Sequence, residues 1–263
     1  MLIDTHAHIH FDDFRVDLAE LFRNARASQL SAIITVGTNA NDSLKCLDFV
    51  FSSEAIGLAD GIELFATVGL HPHEAKLGAL ELEKINQLAN TKKYSSLLVA
   101  IGECGLDYYR NNSTKAEQLR ALEFQLQLAN DLDLPVVFHV REAWQDFFAV
   151  LKNHPKVRGV IHSFTGTSDE VGNALAYNLY FGLNGIMTFT KDRAQLEAAR
   201  LVPADRLLLE TDCPYLSPAP VRGKRNEPAN IVFTAEFLSA LRAEDYLDIA
   251  HQSSQNAKHL FSL

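Results

Sequence analysis

Leu97-Leu98-Val99-Ala100-Ile101-Gly102-Glu103 is an apolar run closed by a glycine and a carboxylate. A strand with one wet face alternates polar and apolar residues, whereas one covered on both faces reads as continuously apolar. The pattern recurs along the chain. Leu2–Thr5, Ser31–Val36, Leu64–Gly69, Pro135–His139, Gly159–His162, Tyr180–Leu183 and Leu207–Glu210 complete a set of eight expected strands. Amphipathic stretches lie between them, among them Val16–Ser28, Lys115–Leu132 and Ala143–Asn153. Strand–helix alternation repeated eight times predicts one (β/α)8 TIM barrel over residues 1–263, close to the ~250 residues that fold takes. A doubly wound open sheet is the competing arrangement, but no G-x-G-x-x-G turn follows the first strand.

Chemistry-bearing residues stand where these runs stop. His6 and His8 close the first, and His71 and Glu103 follow the third and fourth. His139, His162 and Asp212 mark the fifth, sixth and eighth. In a barrel these ends converge on one face, the face that carries active sites. In MLIDTHAHIH (Met1–His10) the three histidines alternate, so they share one face if the strand continues that far. Four imidazoles and two carboxylates can satisfy two divalent ions. His6, His8 and Asp212 are expected to hold one, His139 and His162 the other, and Glu103 to bridge them. Such a nitrogen–oxygen set suits Zn, Mn, Co or Fe, and Mg less well at the imidazoles; one or two ions, Mg, Mn or Zn, are expected. A metal pair ~3.5–4 Å apart acidifies a shared water and stabilises the attacking and leaving oxygens. Asp212 is placed to orient that water and take its proton, so the chemistry is hydrolysis of a phosphoester, an ester or an amide.

The remaining candidates divide by position. His71, in Gly69-Leu70-His71-Pro72-His73-Glu74, reads as a donor turned toward substrate. His10 and His73 read as structural or exposed, Asp4 as a partner for local backbone, and Trp144 as a packing residue on the helix after strand five. Arg222, Lys224 and Arg225 sit in the loop after strand eight, where three cations on an acidic protein suggest phosphate capture. Arg141, two residues past His139, is expected to reach the same phosphate.

The 263 residues are 47% hydrophobic and carry a formal charge of -9. That balance argues against a long electrostatic contact with duplex nucleic acid, while bound metals and a local basic cluster leave a nuclease open. The three cysteines form no C-x-x-C pair and no disulfide framework, and each reads as a small buried group. No basic-then-apolar leader and no apolar run of ~20 residues is present, so a cytoplasmic, membrane-free protein is expected, with a monomer favoured.

Taken together, the motifs resemble those of the TatD family of metal-dependent hydrolases, within the amidohydrolase-like barrels. They are DTHAH (Asp4–His8), VGLHPHE (Val68–Glu74), IGECGLDYY (Ile101–Tyr109) and FHVREA (Phe138–Ala143), then IHSFTG (Ile161–Gly166), LLETDCPYL (Leu208–Leu216) and RGKRNEP (Arg222–Pro228). The resemblance covers nearly the whole chain. It implies a (β/α)8 fold, a mono- or dinuclear metal site and deoxyribonuclease activity of the 3′→5′ exonuclease type. It also implies the ligands His6, His8, Glu103, His139, His162 and Asp212, and an active-site role for His71. Glu103 differs from the carbamylated lysine that urease-like relatives place on strand four. Some relatives resemble deacylases of D-aminoacyl-tRNA.

Three function classes therefore stay in view. One is a metal-dependent deoxyribonuclease working on DNA bound locally at the barrel mouth. Another is an ester hydrolase on the same site, such as a D-aminoacyl-tRNA deacylase. The last is a barrel that binds metal without turnover, which open coordination positions argue against.

Overall fold

The computed structural model describes residues 1–263. In chain order, β1 (Leu2–Ala7), α1 (Leu18–Ala27), β2 (Leu30–Val36), α2 (Ala40–Phe51) and α3 (Ser53–Ala59) lead to β3 (Glu63–Val68) and α4 (Gly78–Ala89). Next come β4 (Leu98–Asp107), α5 (Lys115–Leu132), β5 (Val136–Arg141), α6 (Trp144–Leu151), β6 (Gly159–Ile161) and α7 (Ser168–Ala176). The chain closes with β7 (Tyr180–Leu183), α8 (Arg193–Leu201), β8 (Leu207–Leu209), α9 (Ile231–Arg242) and α10 (Tyr246–Phe261). All eight strands are parallel and pair in sequence order. The ring closes just past β8, where Asp212 N–H donates to the His6 carbonyl and His8 N–H to the Cys213 carbonyl, each at 2.8 Å. This is the (β/α)8 barrel that the strand count predicts.

Strand alternation divides the core in two. Ile3, Ile34, Val99, Val137, Val160 and Leu208 fill a cluster inside the barrel, while Ile33, Ile101, Phe138, Ile161 and Leu209 pack outward against the helices. Ala257, Leu260 and Phe261 of α10 join the inner cluster. Asn256 donates to the Leu207 carbonyl and Ser254 to the Met1 carbonyl, so α10 closes the end of the barrel where the strands begin. The other end is left for chemistry.

Helix limits follow local signals. Thr114 and Glu117 cap α5 reciprocally, and α5 stops at Asp133 in the left-handed region, just ahead of Pro135. The predicted span Lys115–Leu132 is the observed helix. Val16–Ser28 and Ala143–Asn153 each shrink by one to two residues per end, because Asp17 and Ala143 fall outside helical geometry. The larger departure is β4, which runs on to Asp107, where a limit at Gly102 was expected. Its extension is possible because Gly105 (φ +151°) has no side chain; a Cβ there would lie 1.9 Å from the His139 carbonyl oxygen. β4 and β5 can therefore run backbone against backbone, with Gly105 opposite His139 in register.

Candidate metal centre

Glu103 lies at the middle of the strand-end face, buried, with imidazoles around it. Its Oε1 stands 2.8 Å from His139 Nδ1, 3.2 Å from His71 Nε2 and 3.3 Å from His162 Nε2, and its Oε2 3.5 Å from His6 Nε2. Asp212 Oδ1 lies 3.6 Å from His6 Nε2 and 3.4 Å from His8 Nε2. The six ligands expected from sequence thus converge, and His71 joins them.

Electrostatics keeps the carboxylates charged. Burial alone would raise Glu103, but the His71 and His162 rings and hydrogen bonds from His139 and His162 hold it well below the usual carboxylate range. Asp212 is likewise held down against burial, by His8 foremost. It adopts a left-handed backbone (φ +57°), costing about 1 kcal/mol, and its side chain lines the same cavity as Glu103.

Outer partners aim the rings. His8 Nδ1 lies 2.8 Å from the Val36 carbonyl, His162 Nδ1 3.1 Å from Glu210 Oε1, and His139 Nε2 3.2 Å from Asp107 Oδ2. A histidine held this way offers its other nitrogen to a metal. Despite burial, His162 is raised well above its usual value, by Glu210 foremost, and His139 is raised by Asp107. His71 is different. Its Nδ1 accepts from the His73 N–H at 3.1 Å, so its ring proton sits on Nε2, facing Glu103. Burial lowers its pKa to about 4, so the ring is a neutral donor near pH 7.

A divalent ion fits these residues on three grounds. Ligands ~2.1 Å from one ion in tetrahedral array lie about 3.4 Å apart, close to the His6–Glu103, His6–Asp212 and His8–Asp212 separations of 3.5, 3.6 and 3.4 Å. Both ring nitrogens of His6 are buried without a hydrogen-bond partner, a state that costs about 1–3 kcal/mol unless something else binds there. Finally, His6–His8–Glu103, His6–His162–Asp212 and Glu103–His139–His162 each bring their ligand atoms within 4.8 Å.

His10 is structural, as read from the sequence, buried between Thr35 Oγ1 (2.7 Å) and Asp42 Oδ1 (3.0 Å). Asp4 accepts from the His6 amide, but its closer partners are the amide and hydroxyl of Thr211, and burial raises its pKa to about 8. His73, read as structural or exposed, is part-buried in the cavity wall and bonds Asp107 at 2.8 Å. Arg141 lines the cavity as expected; Arg222, Lys224 and Arg225 do not. Arg222 donates to the Ser217 carbonyl over the Phe189 ring, and Arg225 pairs with Asp17 over Phe14, so the Arg225 charge is already matched. Sequence reasoning missed Asp107 and Glu210. Each is an acid just beyond or at the end of a strand, and each stands in a quoted motif next to assigned ligands.

A histidine–carboxylate cluster able to hold a metal ion, at the strand-end face of a (β/α)8 barrel, is the arrangement of a metal-dependent hydrolase. The chain belongs to the TatD related DNase family, whose model matches residues 3–262. It is 34% identical over the full length of both chains to the uncharacterized metal-dependent hydrolase YabD of Bacillus subtilis. It is 35% identical, again over both full lengths, to a protein of Erwinia tasmaniensis named 3′-5′ ssDNA/RNA exonuclease TatD. Among solved structures, YJJV, a TatD homolog from Escherichia coli K12, superposes with a TM-score of 0.89 at 28% identity, covering 100% of this chain and 98% of that one. A TatD family hydrolase from Entamoeba histolytica gives 0.88 at 26%, covering 99% and 97%. No helix is long and apolar enough to cross a membrane.

Proposed function

We propose that this protein is a phosphodiesterase of nucleic-acid ends, a deoxyribonuclease of the 3′→5′ exonuclease type. The observation that carries the reading is the ionised Glu103, with Oε1 facing His139 and His162 and Oε2 facing His6, beside His8 and Asp212 in one cluster. Supporting it are the relatives named exonucleases and a cavity of 710 Å³, a volume suited to one or two nucleotides rather than a duplex.

Bound divalent ions, two in this reading, would supply a hydroxide at neutral pH and neutralise phosphate charge. The chain's own residues do the rest. Asp212, ionised and open to the cavity, orients the attacking water and accepts its proton. His71 holds its one ring proton on Nε2 against Glu103 Oε1, can turn that hydrogen bond to a phosphate oxygen, and being neutral keeps the proton through the step. Asp107 and Glu210 keep His139 and His162 turned inward.

The test is a time course on single-stranded, 3′-tailed and blunt DNA with metal-stripped protein restored with Mg, Mn or Zn. Wild type should release nucleotides stepwise from the 3′ end, and Glu103→Ala should lose at least a hundredfold in rate. Absence of release with every metal, from protein that binds metal, would replace the reading with an ester substrate such as a D-aminoacyl-tRNA.

A further inference from the structure

Arg110 and Arg141 are exposed and line the cavity that holds the metal cluster. Arg15, Arg23, Arg225 and Arg242 each pair with a carboxylate, and the other arginines that do not, Arg120, Arg193, Arg200 and Arg222, lie outside this cavity. Arg110 and Arg141 have no carboxylate within 4 Å. Both instead face Tyr109, with guanidinium carbons 3.9 Å (Arg141) and 5.5 Å (Arg110) from its ring centroid. An aromatic face orients a guanidinium without occupying its N–H donors, so both forks stay available to an anion.

Their backbones are tied to the cluster as well. Asp107 Oδ1 accepts from the Arg110 amide at 2.8 Å, and Tyr108 N–H donates to the Arg141 carbonyl at 3.0 Å. The same Asp107 carboxylate bonds His139, so Arg110 and a cluster histidine share one anchor, while Arg141 is held through the neighbouring Tyr108 backbone. Asn112 adds a neutral side chain to this wall. Glu74 is the one cavity-lining carboxylate outside the Glu103, Asp107 and Asp212 set, and it pairs with neither arginine.

We infer that Arg110 and Arg141, set on Tyr109, form a second phosphate subsite that holds the phosphate next to the one being cleaved. The inference rests on the phosphodiesterase reading and narrows it. The substrate is a chain bearing at least two phosphates, and the fork geometry of two guanidinium groups favours phosphate over a lone carboxylate. The cleaved bond is then chosen by its distance from a neighbouring phosphate as well as by the metals.

Three dinucleotides test it: TpT, pTpT with an extra 5′ phosphate, and TpTp with an extra 3′ phosphate. Wild type should cleave one of the doubly phosphorylated compounds with kcat/KM about tenfold or more above TpT, the worth of one charge-assisted contact. In Arg110→Ala/Arg141→Ala that ratio should fall to near one, and Tyr109→Leu should lower it partway. Cleavage of all three compounds alike by wild type, or a ratio that survives the double substitution, would overturn the subsite and leave the phosphodiesterase reading standing. Cleavage of none of them, with any metal, would overturn that reading and the subsite with it.

Discussion

Asp107 does more than any other residue outside the ligand set. Its buried carboxylate meets His73 and His139 and accepts from the amides of Tyr109 and Arg110. Those contacts hold it below the ordinary carboxylate range against burial, so it remains an anion under His139. Asp107→Asn presents an amide in place of that anion and should weaken metal binding by about 10–100-fold, read by chelator competition on metal-stripped protein. An unchanged affinity would mean that the surrounding wall alone orients the imidazole. Its role was hidden in the sequence because the apolar run of strand four breaks at Gly102, and only the glycine at 105 lets the strand continue beside β5. The six candidate ligands were legible for the opposite reason. Each stands at or just beyond the end of an apolar run, where nothing but the barrel geometry is needed to bring them together. The cations at 222, 224 and 225 stand outside the cavity lining, and charge in a loop does not reveal a partner such as Asp17 for Arg225.

At the scale of elements, α5 carries the support of the site's wall. Gln118 and Gln125, seven residues apart and so on one face, are both buried. Gln118 accepts from the Asp107 amide at 2.7 Å and donates to the Asp107 and Ser113 carbonyls. Gln125 accepts from the Leu70 amide and donates to the Leu70 carbonyl, fixing the backbone beside His71. Gln118→Leu strands those backbone groups and should cost about 2–3 kcal/mol in urea unfolding. Gln127→Leu on the exposed face of the same helix, where the side chain meets only Asp131, should cost less than about 0.5 kcal/mol. Equal losses would show that α5 is held by its apolar stripe alone. The helix itself was readable to the residue from Thr114, Glu117 and Pro135. Its buried glutamines were not, since a polar residue among apolar ones reads as a wet face until its backbone partners are known.

Across the whole molecule, the metal cluster is a concentration of like groups that the fold must offset. His8, His139 and His162 have raised pKa values, against burial, through their carboxylate neighbours. In metal-stripped protein their protonation adds stability in full below about pH 6.5, and that stability is lost as pH rises through the raised values. Glu103 and Asp212, held low, add stability above about pH 4 that is lost as pH falls through their depressed values. A divalent ion takes the place of the imidazole protons, so its stabilisation should grow with pH. The rise in Tm on adding Mn or Zn should be larger at pH 8 than at pH 6, as followed by calorimetry; an equal rise at both would mean that the ion does not displace those protons.

The seam where the barrel closes has a consequence for synthesis. His6 and His8 leave the ribosome early, but Asp212, hydrogen-bonded through its amide to the His6 carbonyl, is made some 200 residues later. At typical translation speeds that is a delay on the order of ten to forty seconds. Throughout it, the growing chain holds an incomplete cluster and an open ring. A barrel wired from its first strand to beyond its last thus has no complete cluster while it is being made, and a prematurely terminated fragment that stops before Asp212 lacks one of the groups the proposed hydrolysis uses.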